Sequence, residues 1–288
     1  VRRATELDDR SFLDALDELH REEVVTVRDL ALSLHDPRLQ EVIYQGLAAE
    51  SRAALHRRLA VELERRFGDD PRERSADLGR HFALGGDAAR ALDYLVLAGD
   101  QRYDGFAYAD AGEAYRRALR LLPAAPPRKR LALDRKLNDR LGRIGFYEDH
   151  HAAPPHLERA RELHLRHGLL WGIPRLAGVL GARLAVALCL TATVIVGVLR
   201  GRARPLREAL EHLLDAFAAT AYLCNCYTYT GRQARALVEA EALRPLVYSR
   251  RRLPRAGYLI ARGPALVFTH RLHAGAAACE EALAVLER

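Results

Sequence analysis

Methionine is absent from these 288 residues, tryptophan occurs once, and lysine only as Lys129 and Lys136. All other members of the 45 basic side chains are arginines, so the net charge of +7 is an arginine charge. A GC-rich genome produces such a bias as readily as an anionic ligand selects it. Cysteine is scarce as well: of four, only Cys224 and Cys226 stand close together. That excludes a disulfide framework and a CxxC redox pair, and it predicts a reducing, cytoplasmic setting. The motifs of common catalysts are missing too. There is no GxxxxGK[ST], no GxGxxG, no GxSxG and no HExxH, which leaves no direct evidence for an enzyme.

What remains is an ordinary folded composition, with 49% hydrophobic and 29% charged residues, enough chain for a large core or two to three smaller ones. Residues 1–36 carry charges throughout and lack the apolar stretch of a secretory signal. The first residue is Val1, and residues 281–288 run in helical pattern without a stop signal, so the chain is expected to continue beyond both ends.

Chemistry-bearing side chains do not gather in the sequence. Histidines 150, 151 and 156, and the pair His164 and His167, are the nearest thing to a metal set. Pro154 and Pro155 place the first group in a loop, and adjacent histidines face different ways on any regular element. No metal site is expected. Cys224 and Cys226 lie in an apolar, aromatic stretch and read as small buried hydrophobes. The carboxylate pairs Asp8-Asp9, Asp69-Asp70 and Glu280-Glu281 stand beside arginines, as helix caps and solvated faces do.

Apolar residues at 12, 13, 16 and 19 predict a helix behind a Ser11 cap. The β-branched run Val24 to Val27 and the alternation at Leu30, Leu32 and Leu34 then predict two short strands and a turn. A helix follows with Asp36 as its cap and Pro37 in its first position, and another carries Leu55, Leu59, Leu63 and Phe67. Helix, hairpin, helix, helix over residues 1–70 reads as a winged-helix-like module.

Beyond Pro71 the pattern is helical and repetitive. Leu78, Gly79, Phe82, Ala91, Leu95 and Ala98 match the tetratricopeptide spacing, in which small residues admit a neighbouring helix and large ones fill the gap; Gly85-Gly86 supplies the turn. Ala111, Tyr115, Ala118 and Pro123 match part of a second copy. Looser pairs are expected at 128–144 with 155–167, 206–229 with 233–247, and 256–269 with 274–287. The fold class is therefore all-α, a tetratricopeptide-like solenoid on a winged-helix-like module, with an irregular helical bundle as the alternative. Domains are expected at 1–70, 71–170, 171–204 and 205–288, the third being an apolar connecting helix.

Residues 184–199 contain no charge and are followed by Arg200, Arg202 and Arg204. Sixteen helical residues span roughly 24 Å, short of a bilayer's hydrocarbon core of roughly 30 Å, which favours a buried or interface helix. The alternative is an anchor over 176–199 and an inner-membrane-associated adaptor. Arginines at 200–207 and Arg250, Arg251, Arg252 and Arg255 leave nucleic-acid binding through the winged helix as a further alternative, although aromatic residues are thinly interleaved there.

The run Leu34-His35-Asp36-Pro37-Arg38-Leu39-Gln40-Glu41-Val42-Ile43-Tyr44, with Arg52, Leu55 and His56 after it, resembles the winged-helix to helical-repeat junction of signal-transduction (STAND-class) ATPases. That class includes large bacterial transcriptional regulators and ATPases linked to kinases or cyclases. Leu78, His81, Phe82, Gly86, Ala91, Leu92, Tyr94, Leu95 and Ala98 also look like the first repeats of that family. The similarity covers residues 10–122; beyond them only the helical-repeat character continues. It implies a regulatory arm with no catalytic residue of its own. The histidine of the apolar-His-Asp motif senses nucleotide phosphates in related ATPases, which assigns a nucleotide-sensing role to His35; the alternative is a buried histidine bonded to backbone. The resemblance implies no cofactor in this chain and ATP or ADP in the intact parent. The implied partners are an upstream ATPase core, an output domain, and a protein, peptide or small effector in the solenoid groove. Tyr44, Arg52 and His56 read as packing residues that fix the two helices.

Overall fold

In the computed structural model, residues 5, 7–28, 31–166, 192, 205–242 and 252–287 are described. The expected apolar helix at 171–204, the candidate anchor over 176–199, His167, and the arginines at 200–204 and 250–251 lie outside them. Twelve α-helices and one hairpin are present among the described residues. The order is α1 (Asp9–Arg21), β1 (Val25–Arg28), β2 (Ala31–Leu34), α2 (Pro37–Gly46), α3 (Ala49–Phe67), α4 (Ser75–Leu84), α5 (Ala88–Asp104) and α6 (Tyr108–Leu121). Then come α7 (Pro127–Glu148), α8 (Ala153–Leu165), α9 (Pro205–Tyr229), α10 (Gln233–Ala242), α11 (Arg252–Phe268) and α12 (Leu272–Glu287). The chain divides into two units, Val1–Ala125 and Pro126–Arg288.

In the first unit the strands pair antiparallel, Val25 opposite Leu34 and Thr26 opposite Ser33. The hydroxyls of Thr26 and Ser33 lie 2.8 Å apart across the ladder. The cap of α1 is Asp8 rather than Ser11: the Asp8 carboxylate accepts the Ser11 N–H at 2.9 Å and the Ser11 hydroxyl at 2.7 Å. A carboxylate adds a favourable charge at the positive end of a helix, which a hydroxyl does not. Asp36 caps α2 as expected, accepting the Arg38 N–H at 2.9 Å, with Pro37 in the first turn. No residue of α1 is buried, whereas α4, α5 and α6 bury Leu78, Phe82, Leu92, Leu95 and Tyr115.

One contact recurs in the hairpins α4–α5 and α5–α6. A Cβ added to Gly79 would lie 2.9 Å from the Leu95 side chain on the next helix, and one on Gly99 would lie 2.5 Å from the Tyr115 ring. In both hairpins the large residue follows the glycine by sixteen positions, and a buried alanine, Ala91 or Ala111, follows it by twelve. The turn recurs as well. Gly86 (φ 83°) and Phe106 (φ 61°) adopt the left-handed conformation. The next N–H in each case, of Asp87 and Ala107, donates five residues back to Phe82 and Arg102, at 2.9 and 2.8 Å. This closes the helix end and starts the next helix at once.

The second unit repeats the pattern with different residues. In α9–α10, Cys224 stands in place of the glycine, Gly231 (φ 79°) makes the turn, Arg232 N–H donates to Tyr227 O at 2.8 Å, and the small residue is Ala236. In α11–α12 the same roles fall to Gly263, His270 (φ 62°), Arg271 N–H on Leu266 O at 3.0 Å, and Gly275; a Cβ on Gly263 would meet Cys279 Sγ at 2.5 Å. In α7–α8 the turn is one residue shorter, so Gly142 meets Leu157 after fifteen positions, with Ala153 as the small residue. The twelve-residue spacing of small residues within four of these five hairpins matches the tetratricopeptide pattern, whereas α7–α8 is one residue short and the interval between hairpins differs. Gly79 and Gly99 are twenty residues apart, and Cys224 and Gly263 thirty-nine, against about 34 in that repeat. The short interval arises because α5 serves twice, packing on both α4 and α6.

The expected helix pairs at 128–144, 206–229 and 256–269 are present with slightly different ends. Among the described residues no helix is long and apolar enough to cross a membrane.

Gly99→Ala drives a methyl group into the fully buried Tyr115 ring and is expected to lower unfolding stability by about 1–3 kcal/mol. Gly46→Ala, where a Cβ meets nothing within 4 Å, is expected to be neutral or to stabilise by up to ~1 kcal/mol. Denaturant midpoints of the two variants check the contrast.

Candidate functional site

In the first unit an open cleft of about 840 Å³ lies among α2, α3, α4, α5 and α6. Its floor holds a chain of three hydrogen-bonded rings. The Tyr44 hydroxyl on α2 lies 2.9 Å from His56 Nε2 on α3, and His56 Nδ1 lies 2.8 Å from His81 Nδ1 on α4. Arg52 secures the near end, donating to the Tyr44 carbonyl at 3.2 Å with its guanidinium over the ring. Arg57 secures α3 to the α4–α5 turn by donating to Gly85 O at 3.0 Å. Tyr44, Arg52 and His56 therefore fix α2 against α3 as the sequence implies. In the sequence His81 belongs only to a repeat pattern; its partnership with His56, twenty-five residues away, carries no local sequence signal.

Charge at this cleft is one-sided. Arg80, Arg117 and Arg120 line it, against one lining carboxylate, Glu41, which accepts from Gln45 at 2.7 Å. Arg117 is paired with Glu113 at 2.8 Å. Burial pushes the His56 imidazole below its ordinary range, and nearby Arg80 adds to this. His81 is lowered by burial first, then by His56 and Arg80, with Asp77 opposing. Both rings are therefore neutral near pH 7. In each neutral ring one nitrogen donates and the other accepts, so the chain of bonds has a direction.

His35 lies between β2 and α2. It is exposed, and its backbone N–H donates to Val24 O at 2.9 Å. The buried alternative does not hold. Asp36 beside it is held below the usual carboxylate range, chiefly by the Arg38 side chain, as a charged cap should be.

The second unit gathers a cluster that no sequence spacing announced. His164 on α8 and His212 on α9 approach Nδ1 to Nδ1 at 3.1 Å, and Asp215 Oδ2 lies 3.7 Å from His164 Nδ1. A tetrahedral zinc with ligands at about 2.0–2.1 Å needs edges of roughly 3.3 Å, so the spacing suits a metal. The proton inventory does not. Arg135 Nη1 lies 3.4 Å from His212 Nε2, and guanidinium only donates, so Nε2 holds the ring's lone pair and Nδ1 carries the hydrogen. The nitrogen that would face a cation is thus occupied, with a fixed positive charge behind it. The cluster fits a hydrogen-bond network in which His212 donates to His164. His150, His151 and His156 do not converge either: His156 bonds Asn138 Oδ1 at 2.9 Å, and His150 packs edge-on to Phe146 and Tyr229.

Cys224 and Cys226 are buried, as expected of small apolar residues. The Cys224 thiol lies 3.1 Å from Ala236 O and 3.0 Å from Ala261 O, and burial pushes it up to about 12. A thiol so held is a poor nucleophile.

No protein-family model, no curated protein and no solved structure matches the chain.

Burial, followed by Arg135, His212 and Arg143, brings His164 down to about 3. A histidine of the unfolded chain titrates near 6.5, so between these values unfolding takes up a proton that the native state refuses. Stability is full above about 6.5 and falls as pH drops, by at most ~1.4 kcal/mol per pH unit from this group. His164→Gln is expected to flatten the loss by about one proton, read from denaturant midpoints across that window.

Proposed function

We propose that this chain is the regulatory, sensor-bearing helical-repeat arm of a multidomain bacterial signalling ATPase. It binds a protein, peptide or small effector and controls a nucleotide-hydrolysing core and an output domain that are not in this chain. The observation that carries the reading is the set of large apolar side chains left exposed on α1 and α2 of the N-terminal module. Leu13 on α1 is 56% exposed, and Val42 and Ile43 on α2 are 68% and 50% exposed. An amphipathic helix that leaves such side chains in water is incomplete until another surface covers them. The occupant is the ATPase core of the parent, the neighbour that the Leu34–Tyr44 resemblance implies.

In this reading the hairpins of each unit bury their inner faces against the next helix, as repeat proteins do, and offer an effector a concave surface within that unit. An effector that favours one docking arrangement of the arm over another shifts the core between states by the difference in its affinity for them. His35, exposed at the start of α2, is placed in this scheme as a phosphate sensor at the core.

In the parent protein, Val42→Asp with Ile43→Asp is expected to change ATP turnover about fivefold or more, the lower end of ordinary coupling energies. Both side chains are exposed, so the arm itself stays folded. Unchanged turnover, or a parent without a nucleotide-binding core, overturns the reading.

A further inference from the structure

We infer that the cleft among α2, α3, α4, α5 and α6 is a binding site for an organic anion, a phosphate monoester or carboxylate carrying an apolar body, taken up together with a proton. The anionic head is read by Arg80, Arg120 and His81; the body lies along Leu59, Leu84 and Leu121, which line the same cleft.

Three observations converge. First, Arg80 and Arg120 line the cleft, and among the described residues neither makes an ion pair. By contrast Arg90 on the same unit is tied to Asp87 and Glu64, and Arg74 to Asp77. Two unpaired guanidinium groups at a concave, partly apolar site are the electrostatic complement of an anion, and Arg presents its donors in the fork that matches phosphate and carboxylate. Second, His81 uses Nδ1 on His56, while its Nε2 makes no hydrogen bond to any described residue. Third, the volume of about 840 Å³ is that of a small-molecule site.

The ring chain makes the recognition directional. With Tyr44 donating to His56 Nε2, His56 Nδ1–H donates to His81 Nδ1, and His81 Nε2–H points out of the chain as a donor. In the reverse order Nε2 presents a lone pair. An anion selects the first order, because a lone pair facing a negative oxygen is repulsive.

Proton uptake follows from the charges that face the pair. These are Glu41 and Tyr44 from α2, Arg52 and Arg57 from α3, Asp77 and Arg80 from α4, and Arg117 and Arg120 from α6. In the empty cleft burial and Arg80 hold the imidazoles neutral. A bound anion cancels the Arg80 field and favours an imidazolium, so the complex takes up a proton and affinity rises as pH falls. One proton moves from solvent to His56 Nε2 and forms an N–H bond there, the Tyr44 hydroxyl turns from donor to acceptor, and the His56 Nδ1–H and His81 Nε2–H donors stay in place.

Binding of this class stands on the cleft alone; its role as the effector site rests on the regulatory reading above. The test is isothermal titration calorimetry of the whole chain with phenyl phosphate, inorganic phosphate and phenol, in buffers of different ionisation enthalpy. Phenyl phosphate is expected to saturate one site with net proton uptake, and inorganic phosphate to bind about tenfold more weakly for want of apolar contact. Phenol, without the anion, is expected to give no saturation. Arg80→Gln and Arg120→Gln, both at exposed positions, are each expected to weaken phenyl phosphate about tenfold. His81→Gln is expected to abolish the proton uptake while the circular dichroism spectrum stays that of the native chain. Absence of saturation at millimolar phenyl phosphate, or binding unaffected by both Arg80→Gln and His81→Gln, overturns the site. Binding that leaves ATP turnover of the parent unchanged overturns its effector role and leaves the site standing.

Discussion

In both units the spacing of helix axes depends on a small residue facing a large one, across the α4–α5, α5–α6 and α7–α8 hairpins. Where Gly79 meets Leu95 or Gly99 meets Tyr115, a single added methyl would stand within 3 Å of a buried side chain. The helices are therefore as close as a missing Cβ permits, and the large residue occupies the space it leaves. Polar details follow from that approach. Tyr115 comes near enough to donate to Asp100 at 2.8 Å, and Ser75 to donate to Gln101 at 2.6 Å. Held less closely, α3 and α4 would not bring His56 and His81 into one hydrogen bond.

The same geometry sets the two imidazole pairs apart. Around His164 and His212, Arg135 saturates the outer ring nitrogen and fixes the proton order, so the network is closed. Around His56 and His81 the far nitrogen faces a cleft, and the order is left to whatever enters. One pair is a strut. The other has the chemistry of a receptor. The difference lies in one arginine's position, which is why counting histidines along the chain does not separate them.

Much of the helical layout was legible in the sequence, because the apolar period and the Asp36-Pro37 start act locally. The first hairpins were legible because Gly79, Gly86 and Ala91 are small residues at template spacing. The later ones were hidden by substitutions that preserve the physics: Cys224 stands in for a glycine, and His270 and Phe106 adopt a backbone conformation usually left to Gly or Asn. The shared use of α5 was hidden for another reason, since a residue pattern does not say which of two faces a helix offers first. Of the cleft, Tyr44, Arg52 and His56 could be read as joining helices close in sequence. His81 and the arginines of α6 enter only through the fold, and the His164–His212 pair is separated by forty-eight residues.

The double service of α5 bears on how the first unit assembles. Its partners on both sides lie within about twenty residues in sequence, so each hairpin closes at small entropic cost and ordering spreads outward from the middle helix. A chain built this way reaches its native arrangement by zipping along its own length, and a segment emerging from the ribosome meets its neighbour before distant parts exist. Lengthening the array asks only for another copy of the same short segment, with Phe106 and His270 marking how much variation the joint between copies tolerates.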